Sequence, residues 1–204
     1  NMYGLKDNVA RKAGTMGKEE NKEMEFWTQE EFQKFLECVA DKPISYYAFE
    51  MLYWTGIREG ELLALTPADF NFEKKTLRIN KSYQRLEGKD VITDPKTPKS
   101  NRTIVMPDFL AVEMEDFISS LYGIRDDDRI FTISKSYLHH EMDRGAKLAG
   151  VKRIRIHGLR HSHISLLINL GFSALAIGER VGHEAVDITY HYAHLFPTVQ
   201  TDMA

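Results

Sequence analysis

Apolar side chains recur along most of this chain at the three-to-four-residue spacing of a helix, and residues 76 to 106 break that rhythm. The helical pattern opens at Thr28-x-x-Glu31, a pairing in which a threonine hydroxyl and a glutamate carboxylate satisfy free N–H groups of a first turn. Phe32, Phe35, Leu36 and Val39 then share one face, so a helix is predicted from Thr28. A second is predicted over residues 44 to 54, with Gly56 placed to end it in a left-handed conformation. A third runs through Glu59, Leu62, Leu63 and Leu65 and stops at Pro67. Arg58 therefore stands at the corner between two helices.

Between residues 76 and 106 the runs TLRIN, KSYQRL, DVITD and RTIVM are short and mostly β-branched, separated by Gly88, Pro95 and Pro98, and they predict a small three-stranded antiparallel sheet. Lys96, in DPKTPKSNRTIVM, falls in the turn or strand start before the last run, a place from which a long side chain reaches a cleft. Helical spacing returns with Phe109, Val112, Met114, Phe117, Ile118 and Leu121, and further helices are predicted over 136–149, 158–170, 173–181 and 185–193. The expected fold class is mainly α (α+β), helix-rich with one small sheet. Residues 1–25 are polar and lack a clear period, so they read as a linker, and the domain is expected over 26–204.

Composition narrows the function. At 204 residues with 43% apolar content the chain has material for one sizeable core. No run approaches the roughly 18 apolar residues that a membrane helix needs, and no basic-then-apolar leader is present, so a cytoplasmic protein without a membrane partner is expected. The one cysteine, Cys38, cannot form an internal disulfide, and its place in EFQKFLECVA predicts a core residue.

A net charge of -3 argues mildly against a nucleic-acid partner, but the distribution argues the other way. From Lys74 to Arg102 there are nine Lys and Arg (Lys74, Lys75, Arg78, Lys81, Arg85, Lys89, Lys96, Lys99, Arg102) against three acids, and from Glu141 to Arg160 six against two. Segregation of this kind predicts a cationic face that steers a polyanion; two solvated faces that happen to be basic are the bland alternative. Arg78, Lys81, Lys99, Arg102, Arg153 and Arg155 are the expected contacts to DNA phosphates, which position a duplex without reading its sequence.

The chemistry gathers towards the C-terminus, where HGLRHSH, VGHE and HYAH place His157, Arg160, His183 and Tyr192 within 36 residues. Cutting a phosphodiester without a metal calls for planar bidentate donors on the non-bridging oxygens, which arginine supplies, and for groups that take and give protons. Tyrosine is among the side chains that form covalent intermediates, although its ordinary pKa of roughly 10 requires activation by nearby cations or a base. Arg58, in YWTGIREGELLAL, and Lys96 are candidate further cations, though Arg58 is also placed to pair with Glu59 or Glu61. His157 and His161 share a helical face and invite a zinc reading, but zinc hydrolases of that type have a glutamate beside the first histidine, and here Gly158 stands there. No metal and no cofactor are expected. Tyr190 competes with Tyr192 as nucleophile.

YWTGIREGELLAL, PKTPKSNRTIVM, HGLRHSH and VGHEAVDITYHYAHLF, in this order and at these separations, resemble the catalytic domain of the tyrosine recombinases, the phage-integrase family. The likeness runs from about Phe26 to Pro197. It implies that Arg58 and Arg160 clamp the scissile phosphate, that Lys96 protonates the leaving 5′ oxygen, and that His157 transfers protons. His183 would be a second transition-state donor, and Tyr192, which the family spacing selects over Tyr190, would attack phosphorus to give a 3′-phosphotyrosyl link. The implied partners are double-stranded DNA, further copies in a tetramer, and accessory DNA-bending proteins; residues 1–25 would be an interdomain linker or the remnant of an N-terminal arm. A type IB topoisomerase, which relaxes without swapping strands, and a catalytically silent DNA-binding module stay open.

Overall fold

A computed structural model describes residues 24–94, 100–183 and 185–195. Helix α1 (Gln29–Val39) begins at the anticipated capping box: Thr28 Oγ1 accepts from Glu31 N at 3.3 Å and Glu31 Oε2 from Thr28 N at 2.9 Å. Its buried face carries Phe32, Phe35, Leu36 and Val39. Helix α2 (Pro43–Thr55) opens with proline in its first turn and ends at Gly56, whose φ of 65° is left-handed. The two helices meet through aromatic rings, Phe32 stacked on Tyr53 at 3.8 Å and Phe35 edge-on to Phe49 at 4.8 Å. Trp54 packs edge-on to Phe109 at the margin of this core.

Helix α3 (Glu59–Leu62) is shorter than the leucine spacing suggests. The chain turns there into a 3-10 segment, Pro67–Asp69, because Asp69 Oδ2 accepts from both Thr66 N (2.9 Å) and Thr66 Oγ1 (3.0 Å). The leucines stay buried all the same. Cys38 is half-buried, not a core residue, since Phe35, Leu36 and Val39 occupy the inward face of α1.

Strands β1 (Phe70–Asn71), β2 (Thr76–Ile79) and β5 (Arg102–Val105) form a three-stranded antiparallel sheet in the order β1-β2-β5, with Leu77 opposite Ile104. The two middle runs instead pair with each other, β3 (Ser82–Leu86) with β4 (Lys89–Thr93), in a separate hairpin. Its turn at Glu87 and Gly88 has positive φ at both residues, 48° and 78°, the geometry that matches strand twist. The split follows burial: Leu77, Ile79 and Ile104 face the core, whereas Tyr83 is the buried apolar residue of the hairpin.

Helices α4 (Asp108–Ser120), α5 (Lys135–Ala149), α6 (Ile156–Asn169), α7 (Ala174–Val181) and α8 (Ala185–Tyr192) complete the chain, followed by a 3-10 turn at Ala193–Leu195. Ser134 caps α5 and Ser173 caps α7. Trp27 joins the segment before α1 to α6 and its approach, donating from N to Ser162 Oγ (2.8 Å) and from Nε1 to Lys152 O (2.7 Å). A second apolar cluster of Ile164, Ile168, Ile177, Val181, Ile188 and Tyr192 packs α6, α7 and α8 together, each side chain contributing about 1.5–3 kcal/mol. That cluster fixes where Tyr192 lies. Among the described residues no helix is long and apolar enough to cross a membrane.

Candidate active site

Helix α7 ends at Gly182, left-handed with φ 72°, and three successive carbonyls at that end each accept a hydrogen bond from a different arginine. Arg102 Nε donates to Arg180 O (2.8 Å), Arg160 Nη2 to Val181 O, and Arg58 Nη2 to Gly182 O (3.5 Å). Last-turn carbonyls lack partners within their own helix and carry its negative end, so cations are drawn there. Arg58 and Arg160, 102 positions apart in sequence, are thereby brought to adjacent peptide units.

Each arginine is also held from behind. Arg58 forms the N-cap of α3; its Nη1 lies 2.8 Å from Glu61 Oε1 and its backbone N donates to Glu61 Oε2 at 2.9 Å. The same carboxylate takes a two-pronged bond from Arg102, at 3.2 and 3.0 Å. Arg160, only 2% exposed, donates from Nη1 to Gly56 O at 2.6 Å. Gly56 has no substitute here: its φ is positive, and a Cβ would stand 2.5 Å from the His163 ring. Arg180 donates to His163 Nε2 (3.0 Å), Val105 O (2.9 Å) and Trp54 O (3.2 Å). Arg58 and Arg102 thus share one carboxylate, Glu61, whose charge also reaches Arg160. Burial pushes the Glu61 carboxyl up, but the hydrogen bonds and charge of Arg102, with those of Arg58, outweigh it and hold the group below its ordinary value. Burial, followed by the charge of Arg58, pulls Arg160 down.

The imidazoles and the phenol line the same place. His157 lies in the first turn of α6 with its ring open to solvent, and it meets the His161 ring edge-on, centroids 4.8 Å apart. His161 Nδ1 is hydrogen-bonded to Tyr192 Oη, and Tyr192 is 3% exposed. His183 follows Gly182 directly. All three rings are held neutral: His157 is lowered by desolvation against its protein side and then by Arg160 and Arg58, His161 falls to about 4 through burial and the charges of His157 and Arg160, and His183 falls to about 4 through burial, Arg160 and Arg58, against Asp187. Burial raises the Tyr192 phenol, and Arg160 opposes it. A phosphate placed among the guanidiniums weakens the positive field on the imidazoles and so shifts them towards the protonated form.

Arg58, His157, Arg160, His183 and Tyr192 therefore come together. Lys96 and Lys99 lie outside the described residues. Tyr190 is 81% exposed against His191, so burial separates the two tyrosines. The expected cationic face is thinner than the charge count implied, because many of its members have acids. Arg102 is not a surface cation: its side chain is 6% exposed and bound to Glu61. Lys81 Nζ sits 2.5 Å from Asp69 Oδ2 and 3.2 Å from Thr66 Oγ1, and Lys75 pairs with Asp108 at 3.0 Å. Arg153 pairs with Asp143 at 2.7 Å. Arg78, 55% exposed and 3.8 Å from Asp69, and Arg155, exposed at the N-cap of α6, remain on the surface. Sequence spacing alone left three contributors without a role: Glu61 as a bridge between two arginines, Arg180, and His161, whose only signal was its position four residues after His157. Among the described residues no group of three or more His, Cys, Asp or Glu side chains is arranged to hold a metal ion.

Comparison with known proteins bears on the family and the fold. The description "Phage integrase family" matches residues 25–198. The ICEBs1 integrase of Bacillus subtilis (strain 168) is 33% identical over 97% of this chain and 56% of its own length, and the integrase of Staphylococcus phage L54a is 30% identical over 72% and 47%. The chain thus spans about half the length of these relatives. Among solved structures, the Tn1549 transposon integrase in complex with a circular intermediate DNA aligns with a TM-score of 0.74 at 21% identity, covering 90% of this chain and 66% of that one. The catalytic domain of bacteriophage HP1 integrase aligns at 0.62 and 20% identity, covering 88% and 93%, and these two likenesses speak for the fold.

Proposed function

This chain belongs to the phage integrase family, and on that premise we propose that it is the strand-cutting and strand-rejoining part of a site-specific DNA recombinase that integrates or excises a mobile element. The observation that carries the reading is the excess of guanidinium around Glu61 with a buried phenol beside it. DNA binding calls for cations and has no use for a buried tyrosine hydrogen-bonded to an imidazole.

In the proposed reaction the scissile phosphate takes its place between Arg58 and Arg160, whose remaining N–H groups bind the non-bridging oxygens as charge builds there. Tyr192 Oη attacks phosphorus, the Oη–P bond forms, and the bond from phosphorus to the 5′ oxygen breaks. The phenolic proton leaves to the imidazole side, with His157 as the transferring group, and Lys96 gives the leaving oxygen its proton. His183 donates to the transition state. The 3′-phosphotyrosyl bond keeps the energy of the broken ester, so attack by a 5′ hydroxyl of another strand reverses the step without ATP. Double-stranded DNA is the substrate, and strand exchange assembles further copies, in a tetramer, with DNA-bending proteins as helpers. On this reading residues 26–204 form the catalytic domain and residues 1–25 are an interdomain linker or the remnant of an N-terminal arm.

A nicked DNA substrate carrying the element's own junction, from which the cut piece diffuses away, tests this. The chain is expected to give a covalent adduct on Tyr192 that Tyr192→Phe abolishes. Ligation of that adduct to a second strand separates recombinase from topoisomerase-like relaxation; no adduct at all returns the chain to a silent binding module.

A further inference from the structure

The side chain in hydrogen-bond contact with the nucleophile is His161, a residue outside the roles given above. We propose that His161 is a positioning residue for Tyr192: its Nδ1 accepts the hydroxyl hydrogen and so leaves both lone pairs of the phenol oxygen free for phosphorus. The idea rests on the reading of Tyr192 as the attacking group.

Three features support the direction of that bond. Tyr192 is the last residue of α8 and packs its ring in the apolar cluster of Ile164, Ile168, Ile177, Val181 and Ile188, which fixes the ring, while its hydroxyl meets His161 Nδ1. The His161 ring is itself pinned on its other side by His157, edge-on at 88°. The phenol keeps its proton and the imidazole lacks its second one, because both are desolvated and the imidazole also feels His157 and Arg160. With both groups neutral the tautomer sets the direction, and the Nε2–H tautomer of His161, which makes the hydroxyl the donor, is the one proposed. The opposite arrangement, Nδ1–H to oxygen, would occupy one of the two lone pairs and leave the hydroxyl hydrogen without this acceptor. His161 also follows Arg160 directly on α6, so one rigid element carries both the phosphate clamp and the group that aims the nucleophile.

Asparagine places its amide oxygen near the position of Nδ1, whereas glutamine reaches towards that of Nε2. In DNA-free protein, acetylation by N-acetylimidazole is followed at Tyr192 by peptide mass spectrometry, with exposed Tyr190 as the internal reference. Wild type and His161→Asn are expected to protect Tyr192 equally, while His161→Ala and His161→Gln raise its reactivity by about tenfold, the range of one net hydrogen bond. Protection unchanged in both Ala and Gln, or lost in Asn as fully as in Ala, overturns the proposal. If the Ala variant does not fold, the contrast between Asn and Gln decides. On nicked DNA, His161→Gln should slow adduct formation at saturating DNA and leave the half-saturating concentration in place; a shifted half-saturation with an unchanged maximal rate also contradicts it. The acetylation readout involves no cleavage, so a wild type that forms no adduct removes the recombinase reading and leaves the His161 contact to be judged separately.

Discussion

Two clusters of charge in this molecule are built on opposite plans. At the junction of α1, α2 and α5, Asp41 and Glu141 meet Lys42 and Arg144 in a closed set: Lys42 to Glu141 at 2.6 Å, Arg144 to Asp41 at 2.8 Å and to Glu141 at 2.8 Å. Two anions answer two cations, with the side chains of Asp41 and Lys42 exposed and that of Arg144 half-buried. At the end of α7, Arg58 and Arg102 share the one carboxylate of Glu61, while Arg160 and Arg180 bond to backbone carbonyls and, for Arg180, to His163 Nε2. The first cluster is complete and joins helices. The second keeps unspent charge in a partly buried place, which is expensive unless an anion comes.

The largest effect should come from removing the one anion of the second cluster. Glu61→Ala leaves the buried charge of Arg102 without its anionic partner and is expected to destabilise the fold by about 3–5 kcal/mol in urea unfolding. Glu141→Ala should cost clearly less, since Lys42 and Arg144 turn back to water. Equal losses would erase the distinction between the clusters.

The next effect separates chemistry from stability. Arg58→Ala and Arg160→Ala are each expected to slow covalent adduct formation by about 100-fold or more, as for other lost transition-state donors. Arg144→Ala should leave that rate unchanged.

How much of this was legible in the sequence follows from the range of the forces involved. The capping box at Thr28 and the left-handed end at Gly56 were legible because a helix end is closed by residues within one turn of it. The order of site residues was legible because the motif carries it. The pairing of β2 with β5 was not, since it spans the β3–β4 hairpin and nothing local distinguishes a strand's near neighbour from its far one. Arg102 was misread for the same reason. Its sequence neighbours are basic and polar, and its burial is decided by Glu61, 41 positions away. His161 carried the pattern of a metal ligand, and only the packing of α8 against α6 brings it to Tyr192.

A smaller effect lies in pH. Glu50, buried on α2 beside Glu113 of α4, is raised to about 8, by burial first and then by the hydrogen bond and charge of Glu113. Its folded value lies above its unfolded one, so its contribution is fully present below about pH 4 and is lost as pH rises through 8. Glu61 has the opposite sign: its folded value is lowered, and its contribution is lost as pH falls through it. Thermal melts should therefore show a decline as pH rises from about 4.5 to about 8 that Glu50→Gln flattens. A decline of the same size in that variant would place its cause elsewhere.

The central claim is that the uncompensated guanidiniums await a negatively charged phosphate. It is tested most directly with DNA carrying a neutral methylphosphonate at the scissile position, comparing the rate of adduct formation by the wild type and by Arg160→Ala. The claim predicts that the loss of about 100-fold or more seen on ordinary phosphate shrinks to a few-fold once the charge is gone. An equal loss on both substrates would contradict it.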